Sequence, residues 1–201
     1  MRGERGHSLM EMMTALAVAA LLAVAAFPML ATLRARALMS GASFEIATLL
    51  RSTRSRAIEE GRSVALVFRA GAGGWRVTLV ADGDGDGVKA ADLDAGTDYP
   101  LAQPRRIADR WSGVEFGFLP IARVRRLPPS RLWLESLDDP VQFGSSDIVS
   151  FSPGGEASSG SLYLADAGSQ MAAVVLYGQT ARVRVFRYDV AREEWRGPGT
   201  G

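Results

Sequence analysis

For 22 consecutive residues, 12–33, the chain carries no charged side chain and is apolar almost throughout. A helix needs about 20 such residues to cross the hydrocarbon of a bilayer. The run therefore predicts a membrane-spanning helix. Beyond it, Leu30, Leu33, Ala37, Phe44, Ala47, Leu50, Arg54 and Ile58 recur at helical intervals, while Arg51, Arg56, Glu59 and Glu60 fall on the other side. That periodicity predicts that the helix continues to Glu60 with one stripe on a core. Gly41 is a weak point within it, and Gly61 is placed to end it. Pro28 removes a backbone donor and crowds the preceding turn, so it is expected to kink or locally melt the helix.

After Gly61 the period switches to two. Val64, Leu66 and Phe68 alternate with Ala65 and Val67, and Trp75, Val77 and Leu79 alternate with Arg76 and Thr78. The stretch Ala70-Gly71-Ala72-Gly73-Gly74 between them reads as a hairpin connection. Further strands are expected at 114–119, 131–134, 148–151, 161–165, 171–177 and 181–188. Glycine and proline separate most of these short strands. The fold class that follows is α+β: a long N-terminal helix packed on antiparallel β-sheets, with a sandwich-like globular domain.

Composition narrows the chemistry. With 201 residues and 47% hydrophobic content there is room for one membrane helix and one domain with a core. The chain has no cysteine and a single histidine, His7. That excludes a disulfide framework, a thiol nucleophile, thiolate zinc sites, multi-histidine metal sites and a Ser-His-Asp triad. An enzyme reading finds no support. Net charge is +1, which by itself predicts no acidic partner. Lys89 is the only lysine; every other basic side chain is arginine.

The start of the chain is more specific. Arg2 and Arg5 precede Gly6, and one carboxylate, Glu11, sits beside the apolar run. An ordinary secretory signal peptide, cut near Val24-Ala25-Ala26, fits less well. The apolar run exceeds the usual 7–15 residues. A carboxylate near a membrane-helix centre also costs roughly 2.5–3.5 kcal/mol. Residues 6–28 instead resemble the N-terminus of type IV pilins and pseudopilins. Gly6 matches the residue before the prepilin peptidase cut, Glu11 the fifth position of the mature chain and Pro28 its twenty-second. His7 stands where that family usually carries Phe or another apolar residue. The resemblance implies cleavage between Gly6 and His7 and N-methylation at His7. It also implies a role for Glu11 in setting subunit register, by pairing with a neighbouring subunit's terminal ammonium.

The C-terminal half extends the likeness. Phe151-Ser152-Pro153-Gly154-Gly155, Gly160, Leu162-Tyr163-Leu164, Val174-Val175-Leu176 and Gly178 with Arg182-Val183-Arg184 are similar to the closing pattern of the GspH/FimT family. The basic and apolar helix end 51–58 agrees with it. The domains implied are a leader peptide, 1–6; a transmembrane and filament-core helix, 7–33; an amphipathic continuation, 34–60; and a β-rich globular domain, 61–201. Members are minor pseudopilins of type II secretion or minor pilins of type IV pili. The expected partners are other major and minor pseudopilins, the prepilin peptidase and an inner-membrane assembly platform. The expected place is the bacterial inner membrane, single-pass, with the globular domain in the periplasm and the subunit near a filament tip.

Two other patterns invite chemistry. Asp82-Gly83-Asp84-Gly85-Asp86-Gly87 resembles the start of a calcium loop, with Asp82, Asp84, Asp86 and Asp92 as candidate ligands. The bidentate acid of such a loop belongs at the twelfth position, which here is Leu93. The other reading is a solvated turn in which Asp and Gly supply backbone freedom; apart from calcium, no cofactor is expected. Arginines crowd the middle of the chain (Arg105, Arg106, Arg110, Arg123, Arg125, Arg126, Arg131) and its end (Arg182, Arg184, Arg187, Arg192, Arg196). Some FimT-like proteins bind incoming DNA through a Gly-Arg-x-Arg segment. Here Ala181 replaces the glycine, and Arg182 and Arg184 share one face of the predicted strand. They are placed either to grip phosphates or to lie solvated and paired with acids. Trp111, Trp133 and Trp195 read as base-stacking platforms or as core.

Overall fold

The computed structural model describes residues 9–130 and 132–197, so Gly6, His7 and Arg131 lie outside the described residues. The chain divides into two compact units after Ala37. The helix α1, Leu9–Glu60, has 52 residues. It contributes to both units.

In the first unit α1 exposes its apolar side chains, Leu16, Leu21, Leu22 and Phe27 among them. By length and composition it is able to cross a membrane. The helix runs through Pro28 without interruption, so the expected local melting does not occur. A proline forfeits one backbone bond, here the one to the Val24 carbonyl, and one turn later the Thr32 hydroxyl donates to the Pro28 carbonyl, 3.0 Å away.

In the second unit α1 buries Met39, Ala42, Ser43, Ile46, Ala47, Leu50, Thr53 and Ala57. The stripe is rotated from the one the periodicity predicts. Phe44 is 68% exposed and Ile58 48%, while small side chains take the inner positions. Small residues let a helix approach a sheet closely, and hydrophobicity alone does not rank them.

Two antiparallel sheets complete this unit. The first is ordered β3-β2-β1-β6, from β1 (Val64–Gly71), β2 (Gly74–Ala81), β3 (Tyr99–Pro100) and β6 (Ile148–Phe151). The second is ordered β10-β9-β8-β7-β4, with β5 also paired to β7. Its strands are β4 (Val114–Phe116), β5 (Val141–Gln142), β7 (Gly160–Asp166), β8 (Met171–Tyr177), β9 (Arg182–Asp189) and β10 (Glu194–Arg196). The α+β expectation therefore holds. The short helix α2 (Ala90–Ala95), β3, β5 and β10 were not legible as elements. No strand forms at 132–134; Trp133 makes only an isolated bridge to Arg125.

The packing explains why β1 lacks a polar face. Val64, Leu66 and Phe68 join α1 and the inner faces of both sheets in the main core. Ala65 and Val67, on the opposite face, are sealed with Val80 and Ile148 beneath Val88 and Leu93 of the segment after β2. The second sheet is covered in the same way. Leu119 and Val124, from the irregular stretch between β4 and β5, close over Tyr163, Met171, Ala173, Phe186, Tyr188 and Trp195. Burial of this kind pushes the Tyr163 hydroxyl up to about 12.

Candidate functional site

Three places hold the residues singled out above. The first is the start of α1. Glu11 lies in the first turn of the helix, exposed, between the exposed apolar side chains of Leu9, Met10, Met12 and Met13. A carboxylate at a helix N-terminus is favoured by the helix dipole.

The second is the aspartate loop, where the chain leaves β2. Asp82 is buried, and its carboxylate turns back on the loop. Oδ1 accepts the N–H of Gly85 at 2.7 Å and of Asp84 at 3.2 Å, and Oδ2 accepts that of Gly87 at 2.8 Å. A second buried carboxylate, Asp98, accepts the N–H of Gly83 at 3.1 Å and of Lys89 at 2.9 Å. Lys89 Nζ pairs with Asp86. Gly85 and Gly87 have φ of 92° and 91°, a region that side chains disfavour, and a Cβ at Gly83 would collide with the Thr97 carbonyl. The carboxylate oxygens of Asp82, Asp84 and Asp86 lie within 4.8 Å of one another. Asp84 accepts the Asp86 N–H, which favours its charged form. Desolvation and the nearby carboxylates of Asp86, Asp92 and Asp82 outweigh that bond and hold its carboxyl above the ordinary range. Asp92, on α2, is not part of the converging trio. Three of the four candidate ligands are thus brought together. Of these, Asp82 already serves as the internal staple of the loop. Asp98 gave no signal in the sequence, standing outside the Asp-Gly repeat.

The third place is the arginine-rich surface, and here pairing decides. Arg105 and Arg110 flank Glu45 of α1 at 3.4 and 3.5 Å. Arg106 pairs with Glu115, Arg123 with Glu193 and Arg126 with Glu135. Arg192 and Arg196 share Asp189, and Arg187 donates to Ser40 Oγ. Arg123 and Arg125 stack on Trp133 with guanidinium carbons 4.0 and 4.4 Å from the ring centre. The middle cluster is therefore largely neutralised at contact range. The tryptophans are structural too. Trp195 belongs to the second sheet's outer core, and its Nε1 donates to the Arg125 carbonyl at 2.6 Å. Trp111 packs beside Gly41, and its Nε1 donates to Glu45 Oε2 at 2.7 Å.

Arg182 and Arg184 differ. Neither has an ion-pair or hydrogen-bond partner among the described residues. Both project from the outer face of β9, together with Tyr177 of β8, and line a groove of about 490 Å³.

Comparison with known proteins agrees with the geometry. The model of the prokaryotic N-terminal methylation motif matches residues 1–27, which take in α1 as far as Phe27. The model of the type II transport protein GspH matches residues 42–180, more than half of the chain. The chain belongs to the GspH family. No curated protein and no solved structure gives a significant match to it. The two family matches describe a pilin-like protein of the type II secretion class, anchored by its N-terminal helix. The GspH match takes in the aspartate loop, the whole first sheet and β4, β5, β7 and β8 of the second, but ends before β9 with Arg182 and Arg184. Glu11 lies within the matched methylation motif, and Pro28 directly follows it.

Proposed function

We propose that this chain is a minor pseudopilin, a structural subunit near the tip of a type II secretion pseudopilus. It performs no chemistry of its own. In this reading a prepilin peptidase cuts between Gly6 and His7, and His7 receives the N-methyl group. The apolar half of α1 anchors the protein in the inner membrane, single-pass, with the globular domain in the periplasm. During assembly it moves from lipid into the bundle of neighbouring helices. Glu11 is costly in hydrocarbon unless neutralised, so it selects the register at which a neighbouring subunit's terminal ammonium meets it. The partners are other major and minor pseudopilins and the assembly platform.

The observation that carries the reading is in the first unit: a helix uncharged over residues 12–33, with its large apolar side chains exposed and one carboxylate in its first turn. Such a surface demands either lipid or other helices.

A clean deletion in the native host tests it, scored in parallel for exoprotein secretion and DNA uptake. Secretion is expected to fail while uptake continues. Loss of uptake with secretion intact would instead place the protein in a type IV pilus. Protein extracted from membranes is expected to begin at His7. Gly6→Val is expected to leave the precursor uncut and six residues longer, visible by N-terminal sequencing. A mature chain with another first residue would remove the premise.

A further inference from the structure

Resting on the pseudopilin reading, we propose that the groove at the β8–β9 turn receives a carboxylate of a neighbouring protein subunit in the filament, gripped by Arg182 and Arg184 beside Tyr177.

Strand alternation sets up the site. On β9, Val183 and Val185 point to the main core, and the residues between them point outward. Farther along the same outer face, Phe186 and Tyr188 are buried under the stretch that follows β4. That cover stops short of the strand ends. Arg182 and Arg184 are left open there, with Tyr177 as the cross-strand partner of Arg182. Tyr177 is 39% exposed, and its ring centre lies 6.0 Å from the Arg184 guanidinium carbon. Ser159 and Thr180 complete the wall.

The cations lack a counter-ion. Most arginines of this unit are met by a carboxylate or a hydroxyl, whereas these two have none, and Arg184 Nε is buried with no acceptor. A buried donor without a partner is costly, and an acceptor arriving from outside relieves it. A carboxylate fits the fork of a guanidinium with two parallel bonds. Arginine and tyrosine are also among the side chains enriched at protein–protein hot spots.

The same alternation argues against nucleic acid. A DNA-binding surface neutralises a run of phosphates. Here the cationic face ends after two residues, because the next two positions are core, and Arg187 lies on the other face, bonded to Ser40. The site is compact and suits one or two carboxylates.

The test uses the full-length chain in its native host, with a photo-crosslinking benzoylphenylalanine at Gln179 on the groove's rim. The crosslinked peptide is expected to come from another pseudopilin and to contain Asp or Glu. Arg182→Glu with Arg184→Glu is expected to lower the crosslink at least tenfold at unchanged protein level. Arg182→Lys with Arg184→Lys should retain most of it, and Arg76→Glu on the first sheet should leave it intact. Capture of nucleic acid or of exported cargo, a crosslink insensitive to charge reversal, or no crosslink would each overturn the proposal. Secretion separates the two levels. If deletion abolishes it and charge reversal changes neither crosslink nor secretion, the pseudopilin reading stands and the groove proposal falls. If deletion leaves secretion normal, the pseudopilin reading falls.

Discussion

Replacing Asp82 by alanine is expected to destabilise the globular unit by about 3 kcal/mol. One carboxylate accepts three backbone N–H groups of its own loop, and hydrogen bonds to a charged acceptor are worth about 1.5–3 kcal/mol each. Water re-solvates the donors on the exposed side of the loop, which is why the sum is not the full triple. The remainder comes from beneath. The loop carries Val88 and leads into α2, and these seal Ala65, Val67, Val80 and Ile148. Asp82→Asn keeps one acceptor oxygen and replaces the other by an amide, so it should fall between wild type and alanine. The pH dependence has a definite sign. Burial pushes the Asp82 carboxyl up, but the N–H bonds from Gly85, Gly87 and Asp84 outweigh it and hold it below its ordinary 3.8. A depressed folded value gives stability that is complete above the unfolded value and lost as pH falls through the folded one. The gap between wild type and Asp82→Ala should thus be constant near neutrality and close only below about pH 4. Denaturant melts of the full chain in detergent, run from pH 7 to 3, measure it. An alanine variant as stable as wild type at pH 7 would show that the loop stands without its staple.

Gly41→Val is expected to cost about 3 kcal/mol, against the usual preference of a helix. Glycine inside a helix is worse than alanine by about 1 kcal/mol, so filling an exposed one stabilises. Here a Cβ would enter the Trp111 ring, overlapping Cη2 and Cζ3 and lying 2.9 Å from Cε3. The indole has little room to retreat. Its Nε1 is bonded to Glu45, which also holds Arg105 and Arg110. Overpacking of this kind costs about 1–3 kcal/mol, and the β-branched side chain belongs at the upper end. Gly41→Ala should be milder. The decisive comparison is a double-mutant cycle. In a Trp111→Ala background, Gly41→Ala should change sign and stabilise by up to about 1 kcal/mol. Thermal melts of the four proteins read this directly, and additive effects would mean that the ring does not need the glycine.

That position marks where sequence reasoning runs out. As part of a helical pattern Gly41 is a flaw; as the floor under an indole 70 residues away it is a requirement. Local features fared better. The long apolar run, the helix end at Glu60 and the strands 148–151 and 171–177 follow from short-range periodicity, and the structure has them. The phase of the buried stripe differs from the predicted one because Ala42 and Ala57 carry little hydrophobic signal, whereas Phe44 carries much and faces out. The arginine clusters looked basic in part because some of their acids are distant in the chain. Glu45 meets Arg105, and Glu193 meets Arg123, only after folding. Similarly, the stretch that covers the second sheet has no periodicity to read, since it packs Leu119 and Val124 without forming a strand.

Lys89 gives the aspartate loop a chemical reporter. It is the chain's single lysine, so an acylating reagent finds only that side chain and the amino terminus. Its hydrogen bond to Asp86 holds its ammonium above the ordinary lysine value, and the protonated amine is not a nucleophile. Acylation of Lys89 is therefore slowed while the loop is intact. The rate at this one atom becomes a clock for the loop's opening, readable in whole filaments where no melt is possible.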